Sequence, residues 1–124
     1  MRITLFFLTL LIAPAMAQTQ YDLNQSNCNE LQAVNKRLNS TYQKVLNRHK
    51  SNAAEQLAIK KSQKAWLAFR DAQLEAIYPG ADNFGSSHPM CFCIESTVLT
   101  EARIRQLSQW LKPREGDMCG GSRY

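Results

Sequence analysis

The stretch from Ile59 to Ile77 most constrains how this chain folds, because its apolar stripe contains two strongly polar groups. At about 100° per residue, Ile59, Gln63, Trp66, Arg70 and Ile77 fall on one face of a single helix. A buried amide or guanidinium without a hydrogen-bond partner costs about 1–3 kcal/mol. The pattern therefore predicts a small helical core in which Gln63 and Arg70 belong to a specific polar network.

Residues 1–17 have the pattern of a secretory signal peptide. Arg2 precedes an apolar run, Ile3 to Ile12, that is too short to cross a bilayer. Small residues around Ala17 then provide a cleavage site. We expect export to the periplasm or beyond, a mature chain that begins at Gln18, and no membrane span. A retained membrane anchor is the alternative.

The composition of the remaining chain limits the classes of function. Residues 18–124 number 107, which is enough for one modest core. Loss of Arg2 lowers the formal net charge from +5 to +4, and the charges are scattered along the predicted helices. No loop interleaves basic and aromatic residues, so nucleic acid is not an expected partner. No catalytic triad, paired-carboxylate set or phosphate loop stands out, so the sequence predicts a binding protein without a cofactor rather than an enzyme.

The hydrophobic periodicity predicts an all-α fold, a small antiparallel bundle of three helices near residues 28–50, 53–78 and 90–111, stapled by disulfides. Asn27 with Glu30, and Asn52 with Glu55, are spaced as capping boxes for the first two helices. The apolar stripe of the first helix comprises Leu31, Val34, Leu38, Tyr42, Val45 and His49.

The second helix ends at Pro79-Gly80, and Pro89 fits the first turn of the third. Arg103 projects among Leu99, Leu107 and Trp110 on the third helix. We divide the chain into a signal peptide at 1–17, a helical domain at 18–112 and a polar tail at 113–124.

The connection between the second and third helices is the best candidate for a partner-binding loop. It is long for a helical hairpin and rich in small polar residues. A plain connector is the alternative. The candidate residues are Asp82, Asn83, Ser86, Ser87 and His88.

Four cysteines in an exported chain predict disulfides, with three pairings to choose from. They are Cys28, Cys91, Cys93 and Cys119. A zinc site is the competing interpretation, although the Cys-x-Cys spacing at 91–93 is not a standard one. His49 and His88 are far apart in sequence and are not expected to be metal ligands.

In their order along the chain, several motifs resemble the exported bacterial family named after the lysozyme inhibitor LprI. The resemblance covers about residues 28–111. The motifs are Cys28, then Leu38-Asn39-x-x-Tyr42, then Gln63-x-x-Trp66-x-x-x-Arg70-Asp71, then Gly85-Ser86, and finally Leu99-Thr100-x-x-Arg103-x-x-x-Leu107. The chain departs from the family at its cysteines: Leu74 lies in the region where members usually carry one, and Glu95 stands at another such position.

The resemblance implies an exported helical domain with a protein partner, and the family name implies inhibition of lysozyme. An envelope-stress or toxin-immunity module with a different protein partner is the alternative. Many lysozymes are strongly basic, as this chain is, so inhibition would depend on shape and on a locally inserted group. The sequence leaves the oligomeric state open.

The family motifs place a set of polar residues where they form either a structural network or a ligand site. We expect the structural role, with an Asp71–Arg103 ion pair and Arg70 over the Trp66 ring. The set comprises Asn39, Tyr42, Gln63, Trp66, Arg70, Asp71, Thr100 and Arg103.

Helix geometry favours one disulfide pairing. Cys91 and Cys93 point about 200° apart on one helix, so only one of them faces Cys28. Cys93 lies on the side of Leu107, which predicts Cys28–Cys93 and leaves Cys91 for Cys119. The first bond would fix the base of the candidate loop.

We expect mass spectrometry of the protein from its native host to show a mature N-terminus at Gln18. A protein that still carries Met1 in the cell envelope would contradict this prediction.

Overall fold

The computed structural model describes residues 17–112, 114 and 116–123, so the predicted signal peptide lies almost wholly outside the described residues. It consists of α1 (Gln20–Arg48), α2 (Ala53–Ile77) and α3 (His88–Ser108), with three short 3₁₀ segments, Ala81–Ser87, Gln109–Leu111 and Gly121–Arg123. The described residues form no strand, and the predicted all-α three-helix fold is confirmed. None of these helices is long and apolar enough to cross a bilayer.

Helix α1 begins earlier than the sequence pattern indicates. Thr19 is its N-cap, and Thr19 and Asp22 satisfy each other's backbone N–H groups in a capping box. Hydrogen bonds from the Thr19 hydroxyl and backbone N–H lower the pKa of Asp22. The predicted Asn27–Glu30 box is wrong, because the Asn27 amide lies inside the helix and donates to the Leu23 carbonyl at 2.8 Å.

Of the two hydrogen bonds in the predicted capping box of α2, the one accepted by the Asn52 side chain is confirmed. The Asn52 side chain accepts the Glu55 backbone N–H at 3.1 Å. The Glu55 carboxylate does not close the box. It contacts the buried His49 ring instead, at 2.9 Å from Nδ1, so this residue joins the start of α2 to the end of α1.

Helices α1 and α3 run parallel and approach each other most closely. The Cys28–Cys93 disulfide joins the third turn of α1 to the second turn of α3, and its Cα atoms are 5.1 Å apart. Ser96 and Thr100 are buried on α3. Such small side chains allow a short distance between helix axes. Farther along, Arg37 of α1 and Glu101 of α3 form an ion pair.

Helix α2 runs antiparallel to this pair and completes the core. Leu38 and Val45 from α1, Ile59 from α2 and Leu107 from α3 form its centre, and Trp66 packs against them. The expected buried face of α2 needs one correction. Leu74 is 4% exposed, whereas Ile77 is 37% exposed, because the turn that follows α2 begins there.

The predicted Cys28–Cys93 bond is confirmed, but the predicted Cys91–Cys119 bond is wrong, because both cysteines are free thiols. The tail turns back to the far end of α3, where Arg123 donates to Gln109 at 3.1 Å and to the Cys119 carbonyl at 3.0 Å. Gln109 lies about 27 Å along the helix from Cys91 at a rise of about 1.5 Å per residue. One disulfide therefore staples the bundle.

Replacing both Cys28 and Cys93 with Ser should lower the free energy of unfolding by about 4 kcal/mol, since the bond closes a long loop in the unfolded chain. Urea denaturation followed by circular dichroism measures this change. The matched control Cys91→Ser should unfold like the wild type, and an equal loss in that variant would contradict the assignment.

Candidate functional site

Arg103 of α3 makes three side-chain hydrogen bonds, two of which connect α3 to α2. Its Nε donates to Gln63 Oε1 at 3.0 Å, its Nη2 to Ser62 Oγ at 3.1 Å and its Nη1 to Gln106 Oε1 at 3.2 Å. Burial lowers the pKa of Arg103 from its ordinary value. The polar partner that the buried Gln63 requires is therefore this guanidinium.

The predicted Asp71–Arg103 ion pair is wrong. Asp71 is exposed, and its Oδ1 accepts from Nε and Nη2 of the adjacent Arg70 at 3.0 and 2.9 Å. The residue of α2 that faces Arg103 is Gln63, which lies eight positions before Asp71, or about 12 Å along the helix. Thr100 is also outside the network, because its hydroxyl donates to the Ser96 carbonyl at 2.7 Å.

Two guanidinium groups lie close to the Trp66 ring. The Arg70 Cζ atom is 5.5 Å from the ring centroid, as the sequence predicts, and that of Arg103 is 5.9 Å away. At such distances the guanidinium groups are attracted to the ring. The Trp–Arg motif of α2 is therefore built into the contact between α2 and α3.

The remaining motif residues meet at a groove of about 340 Å³ between α1 and α2. Asn39 and Tyr42 line it from α1, and Gln63 and Arg70 line it from α2. Lys60 and Lys64 add two ammonium groups to the α2 wall. The structure thus brings together motif residues that lie up to 31 positions apart in the sequence.

The candidate partner loop is more ordered than its composition indicates. It forms 3₁₀ turns over Ala81–Ser87, interrupted at Gly85, whose φ of 66° favours a residue without a Cβ atom. Asp82, Asn83 and Ser86 are exposed, while Ser87 and His88 are half-buried. The loop therefore presents its polar side chains from a defined backbone.

A cluster of aromatic rings supports this loop from beneath. The Phe84 ring stacks on His88 at 5.6 Å and meets Tyr78 edge-on at 5.5 Å. Tyr78 also contacts His88 and Phe92 of α3. Burial, together with the nearby Cys91 and Glu95, raises the pKa of the Tyr78 phenol.

Two contacts join the loop to the other helices. The Asn24 amide of α1 donates to the Ser86 carbonyl at 2.9 Å. The Cys28–Cys93 disulfide ties α1 to α3 five residues after His88. The loop is thus held from α1, α2 and α3 together.

The fold separates the charges that look scattered in the sequence. Of the 15 Lys and Arg side chains, 14 lie in residues 36–70 or 103–123. Residues 18–35 and 71–102 contain seven carboxylates and no Lys or Arg. The contacts of Ser86 with Asn24 and of Cys93 with Cys28 place most of these two segments at the loop end of the bundle, while Asp71 and Glu101 lie at the boundary and pair with Arg70 and Arg37. The loop end is therefore acidic and the rest of the surface basic.

A second polar site, which is not among the predicted ones, lies at the opposite end of the bundle. The His49 ring lies edge-on against Trp110 at 5.4 Å and contacts Glu55, while its Nε2 is buried without a partner in the described chain. A cavity of about 450 Å³ next to it is lined by Glu55, Arg103 and Trp110. The only sequence signal was a histidine at the end of an apolar stripe.

Among the described residues, no three His, Cys, Asp or Glu side chains come close enough to hold a metal ion. The disulfide occupies two of the four sulfur atoms that the zinc interpretation requires.

The fold and its surfaces define a small, disulfide-bonded three-helix protein with an acidic, rigidly supported loop at one end. The model of the family described as "Lysozyme inhibitor LprI" matches residues 12–107, so the chain belongs to the LprI lysozyme inhibitor family. This family is one of inhibitors rather than of enzymes. Comparison with curated proteins and with solved structures gave no match.

Arg103→Ala should lower the free energy of unfolding by about 1–3 kcal/mol, because it removes the partner of the buried Gln63 amide. Thermal or urea denaturation measures this. Arg105→Ala, an exposed position on the same helix, is the matched control and should change little. A stable Arg103→Ala variant would show that the network is not structural.

Proposed function

We propose that this protein is exported and inhibits a muramidase by direct protein–protein contact. The observation that carries the proposal is the family match over residues 12–107. The signal-peptide pattern of residues 1–17 supports export, which would bring the protein to the compartment where muramidases act.

The acidic loop end is the surface that fits such a partner best. A strongly basic lysozyme would be repelled by the basic part of this protein and attracted to the loop end. Complementary patches of this kind raise the association rate and orient the two partners during encounter. The net positive charge of the chain therefore does not oppose binding, since the charges are segregated.

The support beneath the loop favours tight binding. Phe84 is anchored against Tyr78 and His88, and Ser86 is anchored to Asn24. A loop that is already ordered before binding loses less conformational entropy in the complex. This loop is thus suited to enter an enzyme cleft without being reorganised.

The exposed groups of the loop match the chemistry of a glycan-binding cleft. Such a cleft binds sugar hydroxyls and holds a pair of carboxyl groups. The Asn83 amide and the Ser86 hydroxyl provide hydrogen-bond donors, and the half-exposed Phe84 ring, at 38%, provides an apolar contact. Inhibition would then follow from occupation of the cleft.

Phe84→Ala should weaken inhibition by about tenfold or more, because aromatic anchors dominate the energy of such interfaces. The measurement is the rate at which a muramidase clears a bacterial cell-wall suspension, with increasing inhibitor. Phe69→Ala is the matched control, since Phe69 is 55% exposed on α2 outside the loop and should leave inhibition unchanged. Equal inhibition by both variants would exclude the loop as the contact.

Inhibition of a basic muramidase should also weaken as salt rises from about 0.05 to 0.5 M, because salt screens the attraction of the acidic end. Wild-type protein that leaves a panel of basic and acidic muramidases fully active would refute the function itself. The protein would then be an envelope-stress or toxin-immunity module. Capture of a different periplasmic protein by the acidic end would reveal this alternative.

A further inference from the structure

The groove between α1 and α2 is lined by charged and polar side chains that have no role in the proposed inhibition through the loop end. Three cations line it, Lys60, Lys64 and Arg70, and the one carboxylate of the described residues that pairs with any of them is that of Asp71, on Arg70. Within the described part of the chain, no acidic side chain pairs with Lys60 or Lys64. Two unpaired ammonium groups one helical turn apart make this wall of the groove a site for an anion.

The opposite wall supplies groups that both donate and accept hydrogen bonds. Asn35, Asn39 and Tyr42 line the groove from α1, and the described residues offer no hydrogen-bond partner to the three side chains. Gln63 adds an amide whose oxygen is already bound to Arg103, so its nitrogen remains to donate. A simple carboxylate accepts only, and would leave the amide oxygens of Asn35 and Asn39 unused.

Apolar surface completes the groove. Leu38 and Leu67 line it together with the Tyr42 ring. A pyranose ring combines hydroxyls, which pair with amides, and C–H faces, which pack on apolar and aromatic side chains. The volume of about 340 Å³ suits a ligand of this size and is too small for a folded partner.

We propose that the α1–α2 groove binds a carboxylate-bearing sugar of the kind that N-acetylmuramic acid represents. Lys60 and Lys64 would hold the carboxylate, and the amides of the α1 wall would bind the hydroxyl and acetamido groups. The groove and the acidic loop end lie on different parts of the surface, so binding of the sugar and inhibition of an enzyme are separable.

The test is NMR titration of the purified exported protein with N-acetylmuramic acid and with N-acetylglucosamine, which lacks the lactyl carboxylate. We expect N-acetylmuramic acid to shift the amide signals of Asn35, Asn39 and Gln63, and N-acetylglucosamine to bind at least tenfold more weakly. Equal binding of the two sugars, or shifts confined to other residues, would overturn the proposal.

A pair of charge variants completes the experiment. Lys60→Gln combined with Lys64→Gln should weaken binding of N-acetylmuramic acid at least tenfold. Lys61→Gln, the matched control, removes an exposed cation that lies outside the groove and should leave affinity unchanged. Unchanged affinity in the double variant would refute the site. Groove signals that shift only with an acidic peptide, such as acetylated diglutamate, would refute it as well.

The outcome is independent of lysozyme inhibition. Phe84→Ala should retain wild-type affinity for the sugar, and the double lysine variant should still inhibit a muramidase. Failure of inhibition with intact sugar binding would remove the proposed function and leave this site in place.

Discussion

The close parallel contact between α1 and α3 determines the rest of this structure. The Cys28–Cys93 disulfide holds the two helices at 5.1 Å between its Cα atoms within their first three turns, and the small buried Ser96 and Thr100 keep the helices close beyond it. Because α3 must begin beside the start of α1, the chain that leaves α2 has to cross the end of the bundle. The length of the loop follows from that crossing, and the aromatic rings beneath it support the loop along the way.

Helix α2 is attached to the pair on its α3 side. Arg103 contacts Ser62 and Gln63, and Trp66 lies beside the same guanidinium. On its α1 side, α2 is joined near its start through Glu55 and His49, and the groove that Lys60 and Lys64 line opens farther along. One set of contacts thus produces two different surfaces: an acidic loop held by three helices, and a basic groove between two of them. This division explains how a chain with a net positive charge presents an acidic end, as the proposed contact with a basic partner requires.

Predictions that depended on local chemistry or on helix direction were mostly confirmed. The Asn52 cap, the contact of Arg70 with Trp66 and the choice of Cys93 as the partner of Cys28 each needed only the geometry of a helix and its neighbours. The Asn27–Glu30 box was wrong because Thr19 provides a cap about two turns earlier. A capping-box spacing in the sequence identifies the start of a helix only when no other capping residue lies before that spacing.

The wrong long-range predictions share one cause. Periodicity gives the face of a helix on which a residue lies, but not how far the helix slides along its neighbour. Asp71 was assigned to Arg103 from an assumed register, and the true register places Gln63 there. Cys119 was assigned to Cys91, whereas Arg123 holds the tail at the far end of α3.

The sequence by itself therefore determined the helical class, the family, the faces of the helices and the requirement that Gln63 and Arg103 find partners. Only the tertiary structure decided which partners they find, where the groove opens and how the charges divide between the two ends. Those properties arise from axial register and from the side on which α2 docks. Both are set by the packing of particular side chains, such as Leu107, Trp66 and Leu74, rather than by the periodicity of any one helix.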